Sequence, residues 1–504
     1  MTPEQAFQQA VGELERGAPG RARPILETLL AQLPAVPQVR LALARCHELQ
    51  GDAGAAAQLL EDGLAHLPAA PAPGSEATQA RLALLVEAAR CHGLAGAHRQ
   101  ARDLLRRAVE LAPDNPQVLN NLGNALTRTD DIDEGIAALQ RLVAITRDNA
   151  NHHYNLAKAL ERGGDPAATE AAYRRALDLS PDSPAINWGF ALFLWGQGRM
   201  AEGWPYHEKR LNGGSTAPPA TIAVRPAWTG APFPGRRLLV HSEQGHGDAI
   251  QFARYLAQVK ARGGTVVLQC RPDLMRLFGA SRLAADEIVS TDSDLPEFDL
   301  RASIMSLPAV FATTEAGIPA AVPYLGADVP AADGPAPADD RLNVGLVWSG
   351  NPGNPANRLR AMQPEQFRPL LDLPGVRLFN LQAGDEGRRG QEILGERLQQ
   401  PRQPLNDFFD LAQCQRALDL TLTICTGPAH LAGAMALPAW VLLNQVADFR
   451  WPRTGERTPW YPTMRLMRAP ALHAWDALVS ALGPELEALA QRKRQGRPLV
   501  DTGG

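Results

Sequence analysis

The chain has 504 residues, is 45% hydrophobic and 21% charged, and carries a net charge of −4, which suits a soluble globular protein of about three domains. With 44 Gly and 42 Pro it stays below the level of a low-complexity chain, and its acidic excess excludes a sequence-independent nucleic-acid binder, which needs a basic face. Five cysteines, odd in number and never spaced as CxxC, fit a reducing compartment and give no zinc signature.

The first residues, MTPEQAFQQAVGELERG, read as a polar helix without the apolar core of a signal peptide, so a cytoplasmic location is expected. LAPDNP (Leu111–Pro116), ITRDNA (Ile145–Ala150) and LSPDSP (Leu179–Pro184) then recur at an offset of 34 residues. The helices behind them keep the same register: Leu122, Leu156 and Phe190 are equivalent, and each is followed by a small residue, Gly123, Ala157 or Ala191. Pro34 and Pro68 share the spacing, and Ala70–Ala80 reads as an inserted loop of 11 residues. The period, with small residues where helices cross and Pro where a pair ends, resembles the tetratricopeptide repeat. The resemblance implies five or six helix pairs over residues 1–212, stacked into a superhelix whose concave face takes a peptide or protein. The plainer alternative is an array that only caps or dimerises its neighbour. EGWPYHEKRL (Glu202–Leu211) is similar to the end of the array in bacterial repeat-bearing transferases.

After a linker over 213–234, strands alternate with helices, which implies parallel sheets with crossover helices. Strands are expected at Arg237–Ser242, Thr265–Cys270, Glu287–Ser290 and Asp299–Ile304, with helices at Asp248–Arg262 and Pro272–Phe278. A Pro/Ala/Asp-rich linker covers 331–340. The rhythm restarts with strands at Asn343–Trp348, Val376–Gln382, Leu420–Cys425 and Ala439–Asn444 and helices at Pro364–Leu371, Asp407–Leu418 and Pro428–Ala436. Residues 473–504 hold a closing helix, Trp475–Arg494, and a tail. Thr421–Leu443 contains no Asp, Glu, Lys or Arg, but its Gly427, Pro428, His430 and Pro438 cut it into strand, turn, helix and strand, so it is read as core and not as a membrane span. No transmembrane segment is expected. Two such halves, 235–330 and 341–472, place a ligand between the carboxyl ends of their sheets.

Six segments carry a further resemblance: HSEQGHGDAIQFARY (His241–Tyr255), NVGLVWSGNPGNPANRLR (Asn343–Arg360), LFNLQ (Leu378–Gln382), DFFDLAQCQRALDL (Asp407–Leu420), TGPAHLAGAMALP (Thr426–Pro438) and TPWYPTMRLMR (Thr458–Arg468). Together they resemble bacterial tetratricopeptide-repeat glycosyltransferases, with a catalytic part similar to the heptosyltransferase-like glycosyltransferase family 9. The layout is also similar to that of O-GlcNAc transferases. The fold class this implies is α + α/β, an N-terminal tetratricopeptide superhelix followed by a two-lobed GT-B (double Rossmann-like) region, its acceptor lobe at 235–330 and its nucleotide-sugar lobe at 341–472.

The resemblance assigns roles. In the loop Gln244-Gly245-His246-Gly247, glycines allow close approach to a ligand; Asp248, which opens the next helix, is the family's proposed general base, since an attacking hydroxyl must lose its proton. The bland alternative is a helix-start Asp that only favours the helix dipole. His246 stands where relatives carry an apolar residue and reads as a bystander. Thr426 can cap, Gly427 can turn and Pro428 suits a first helical turn, leaving free N–H groups for a diphosphate; His430 would reach from that turn to the leaving group. Ser349 and Gly350, followed by Arg358 and Arg360, would neutralise the departing nucleoside diphosphate. Gln382, with Asp407-Phe408, would frame the base, whereas Trp451, Trp460 and Tyr461 are expected to pack the lobes together.

Three departures weaken the match: Cys425 stands where relatives carry Asp, Asn357 where Asp is common, and Ala361 where Ser is typical. Cys425 itself reads as a buried strand end. No DxD pair suggests a metal, so the expected chemistry is metal-independent and cofactor-free. A nucleotide-sugar would be the donor, a hydroxyl the acceptor, and a polypeptide the partner docked by the repeats. The alternative is a non-catalytic repeat scaffold with a degenerate transferase cleft.

Overall fold

The motif that marks each repeat is a helix start. Asn115 places its side-chain oxygen 3.0 Å from the Gln117 N–H and 3.3 Å from that of Val118, and Pro116 follows as the first helical residue. Asn149 caps the next repeat in the same way. A side-chain acceptor before a residue whose φ is already helical satisfies donors that the helix leaves unpaired. The helices are α1 (Pro3–Glu15), α2 (Pro19–Gln32), α3 (Pro37–Leu49), α4 (Ala53–Leu64), α5 (Glu76–Leu94), α6 (His98–Leu111), α7 (Pro116–Arg128), α8 (Ile132–Ile145), α9 (Ala150–Gly163), α10 (Pro166–Leu179), α11 (Pro184–Gly196) and α12 (Met200–Glu208).

The computed structural model describes residues 1–69, 71–213, 216–332, 339–354, 357–445, 448–471 and 473–499, without the Arg358 side chain. The chain divides into two compact units, Met1–Ile186 and Asn187–Gly504.

In the first unit each helix from α1 to α10 packs on the next. Gly123 of α7 is fully committed to this packing, because a Cβ there would sit 2.4 Å from Leu139 Cγ of α8. The segment 70–80, expected as loop, is not all loop. Ser75 accepts the Thr78 N–H and starts α5 at Glu76, so the insertion lengthens this helix to 19 residues.

The second unit holds two parallel sheets. Strands β1 (Arg237–His241), β2 (Thr265–Cys270), β3 (Glu287–Ser290) and β4 (Leu300–Ser303) lie in the order β3-β2-β1-β4. Strands β5 (Leu342–Val347), β6 (Val376–Asn380), β7 (Leu420–Ile424), β8 (Ala439–Leu443) and β9 (Met464–Arg468) lie in the order β6-β5-β7-β8-β9. Every pairing is parallel. One apolar core runs through both sheets, from Leu238 and Leu268 to Leu431, Val441 and Tyr461. A second core lies between the second sheet and the helix Trp475–Arg494. Helix α12 is bound into this unit: Trp204 Nε1 donates to the Thr313 carbonyl at 2.7 Å, and Arg210, 2% exposed, pairs with Glu243 just beyond β1. Among the described residues no helix is long and apolar enough to cross a membrane.

The structure differs from sequence expectation in places with identifiable causes. The helix expected over 248–262 is broken into His246–Phe252, a 3₁₀ turn at Ala253–Tyr255, and Leu256–Lys260. Tyr324 Oη donates to the carbonyls of Ile250 and Gln251, and Arg254 Nε also reaches the Gln251 carbonyl, so side chains compete for acceptors that a continuous helix would use. Pro364–Leu370 is 3₁₀ with Pro369 inside it. A helix at Gly384–Leu394 and strand β9 were not expected.

Candidate functional site

Both sheets reverse their strand order beside a central strand, between β1 and β4 in the first and between β5 and β7 in the second. Such switch points open a crevice at the carboxyl ends of parallel strands. Gln244–Asp248 follow β1, Ser349 and Gly350 follow β5, and Thr426–Pro428 follow β7, so the sequence-predicted residues gather at these two points.

The two glycine turns meet. A Cβ on Gly247 would lie 2.9 Å from His430 Cδ2 and 3.5 Å from the Gly427 Cα, so the glycine is required by the approach of the second lobe. His246 lies across Phe408, with ring centroids 5.0 Å apart, and 3.2 Å from an Asp273 oxygen.

Buried, paired side chains stand where the two turns meet. Asp248 is 9% exposed; one oxygen accepts the Gly245 N–H at 2.9 Å and the other is bonded to Arg450 Nη2. Arg450 also donates to Asp448 Oδ1 at 2.7 Å and to Gln251 Oε1 at 3.0 Å. Its guanidinium lies 4.1 Å from the centre of the Phe449 ring. His430 is 3% exposed. Its Nδ1 is 3.0 Å from Tyr461 Oη, and its ring stacks on Trp451 at 5.5 Å. Burial holds this imidazole well below its ordinary range, reinforced by Arg450, Arg254 and Arg360. It is therefore neutral. Arg254 fixes the far wall: it donates to the Trp460 carbonyl at 2.9 Å and lies 4.7 Å from the Tyr461 ring centre.

The remaining predicted residues have structural tasks. Thr426 precedes the helix Gly427–Ala434, but its hydroxyl makes no cap bond. Gln382 Oε1 accepts the N–H groups of Trp348 and Ser349 at 3.2 and 2.9 Å. Asn357 Oδ1 accepts from Gly350 N at 2.8 Å, and its Nδ2 lies 3.2 Å from Ser349 Oγ. Asp407 caps the helix Phe408–Arg416 and pairs with Arg276. Arg360 crosses Gly350, and its Nε is buried without a hydrogen-bond partner among the described residues. The side chain of Arg358 lies outside the described residues. Cys425 is 4% exposed, and burial pushes its thiol up to about 11, so it is a protonated strand end and not a nucleophile. Trp451, Trp460 and Tyr461 are all buried between the lobes. Sequence reasoning missed Arg450 and Arg254; the signal for the first was an arginine flanked by Phe449 and Trp451.

Among the described residues no cluster of three His, Cys, Asp or Glu is arranged to hold a metal ion.

Tetratricopeptide repeats are present in the chain. Models described as tetratricopeptide repeat match residues 13–75, 94–160 and 154–203. Protein FlbA of Caulobacter vibrioides is 28% identical over 349 residues, covering 62% of this chain and 57% of FlbA. The chain thus spans less than two thirds of that relative, while the aligned part exceeds what the repeat-matched residues can supply. Among solved structures, MamA matches at 20% identity over 34% of this chain and 93% of its own, with a TM-score of 0.29. YrrB, described as a TPR protein with an unusual peptide-binding site, matches at 15% identity over 36% of this chain and 88% of its own, with a TM-score of 0.31.

Proposed function

We propose that this chain is a docking protein whose repeat array holds a polypeptide, and whose two-sheet region is a closed, non-catalytic form of a GT-B sugar transferase. The observation that carries this reading is Arg450 bonded to Asp248. Each oxygen of Asp248 already accepts a protein donor, so an acceptor hydroxyl would have to share this carboxylate with the Arg450 guanidinium. His430 faces Tyr461 and Trp451, and Cys425 offers no carboxylate acceptor. Calorimetry against a panel of nucleoside diphosphates should register no binding heat. A micromolar site for any of them, or sugar transfer from mixed sugar nucleotides to a candidate acceptor seen by mass spectrometry, would overturn the reading.

A second reading is favoured by one specific observation: the Gly247 turn and the Gly427 turn converge from different sheets. In it the chain is a metal-independent glycosyltransferase of the family 9 type. Asp248 becomes the base once Arg450 moves away, the Gly427 helix start and Arg360 hold the diphosphate of a nucleotide-sugar, and the acceptor is a protein on the array. Asp248→Ala should then keep donor binding and lose transfer. Unchanged transfer by this variant excludes Asp248 as the base.

A further inference from the structure

Beyond β8, Asp448–Trp451 form a tight turn. The Trp451 N–H donates to the Asp448 carbonyl at 3.0 Å, and the Arg450 N–H donates to Asp448 Oδ1 at 3.1 Å. Three consecutive side chains leave this turn for different neighbours. Trp451, 1% exposed, stacks on His430. Arg450 reaches Asp248 and Gln251. Phe449 lies against Trp195 near the end of α11, with ring centroids 4.9 Å apart. The same Phe449 ring carries the Arg450 guanidinium, 4.1 Å from its centre, and such a cation–π contact strengthens where water is excluded.

Trp195 is fixed. Its Nε1 donates to the Met200 carbonyl at 3.1 Å, and its ring lies 4.3 Å from that of Trp204 and 4.8 Å from that of His207. Gly203 leaves it room, since a Cβ there would sit 2.3 Å from Trp195 Nε1. Phe449 is only half-buried. The phenyl ring therefore bridges an anchored indole and the cation that pairs with Asp248.

We propose that this contact is an autoinhibitory latch: Phe449 seated on Trp195 keeps Arg450 on Asp248, and lifting the ring frees the carboxylate. Phe449 and Trp195 are positioning residues that act on Asp248 through Arg450. Trp195 falls in the repeat-matched segment 154–203, so the end of the array, and not the sheets alone, sets whether Asp248 is engaged. The latch regulates the site already described and rests on the closed reading of it.

The test labels arginines of the full chain with phenylglyoxal and maps the modified peptides by mass spectrometry. In the parent chain Arg450 and Arg254 should both be protected. Arg254, 5% exposed and bonded to the Trp460 carbonyl, is the internal reference for intact packing. Phe449→Ala should label Arg450 about tenfold faster, the effect of losing one desolvated cation–π contact, with Arg254 unchanged. Trp195→Leu, which removes the seat from the other side, should release Arg450 in the same way, and Phe449→Tyr, which keeps the ring, should match the parent chain. The latch is overturned if Arg450 is already labelled in the parent, if it stays protected in Phe449→Ala or Trp195→Leu, if Arg254 becomes labelled along with it, or if Phe449→Tyr behaves as Phe449→Ala. Binding heat from a nucleoside diphosphate on the parent chain overturns the closed reading whatever Arg450 does, so the two failures are distinct.

Discussion

Asp248 is bonded to Arg450 and to the Gly245 amide. Breaking one side of a buried ion pair leaves the other charge uncompensated, at a cost of about 3–5 kcal/mol. Arg450→Ala strands Asp248 and Asp448 together, and should lower the unfolding free energy of the second unit, measured by urea titration, by an amount in that range; a change below about 1 kcal/mol would mean the pair is solvated in solution. The histidines set a pH dependence. Burial lowers His207 and His241 to about 4 and His430 well below 6.5. The unfolded chain binds protons at these groups before the folded chain does, so their contribution is complete above pH 6.5 and shrinks as pH falls below it. Each should contribute a slope of about 1.4 kcal/mol per pH unit. Glu208 is held down to about 2, the bonds from His207 and Arg210 outweighing burial; its stabilisation is lost only below its unfolded value near 4.5, so it does not mask the slope. Denaturant titrations at pH 7.5 and 5.5 measure it, and equal stability at both would refute the assignment of three neutral histidines.

Among the elements, those governed by local rules were legible. The 34-residue rhythm was readable because helix starts marked by a capping Asn or a first-turn Pro recur at that spacing, and Glu287–Ser290 and Trp475–Arg494 were read with the limits they have. The helix Gly384–Leu394 was hidden, since its Gly387 and Gly390 look like helix breakers. Only the tertiary structure explains them: a Cβ at Gly387 would meet the Gln382 carbonyl at 1.9 Å, and one at Gly390 the Trp348 ring at 2.1 Å. The turns after β1 and β7 were singled out by sequence, and Gly247 and Gly427 do approach each other. The Arg450–Asp248 pair was not legible, because the two residues are 202 apart in sequence. Close packing also sets an expectation in the array. Gly123→Ala gains about 1 kcal/mol in helix propensity, yet the new Cβ presses on fully buried Leu139. The overpacking, about 1–3 kcal/mol, should win, so the first unit melts earlier. A raised melting temperature would show that α7 and α8 can separate to admit a methyl group.

At the scale of the whole molecule, the chain divides at Ile186 and Asn187 into two compact units, each with its own apolar packing. Calorimetric unfolding should therefore resolve two transitions, with Gly123→Ala moving one and Arg450→Ala the other; a single transition displaced by both would mean the units unfold together. Within the second unit the lobes share one apolar core and should not separate. All five cysteines are buried and unpaired, Cys46 and Cys91 in the first unit and Cys270, Cys414 and Cys425 in the second. The wild-type chain consequently carries its own clock: a thiol reagent can modify a sulfur only when the surrounding helices part, and peptide mapping of which sulfur reacts first tells which half breathes.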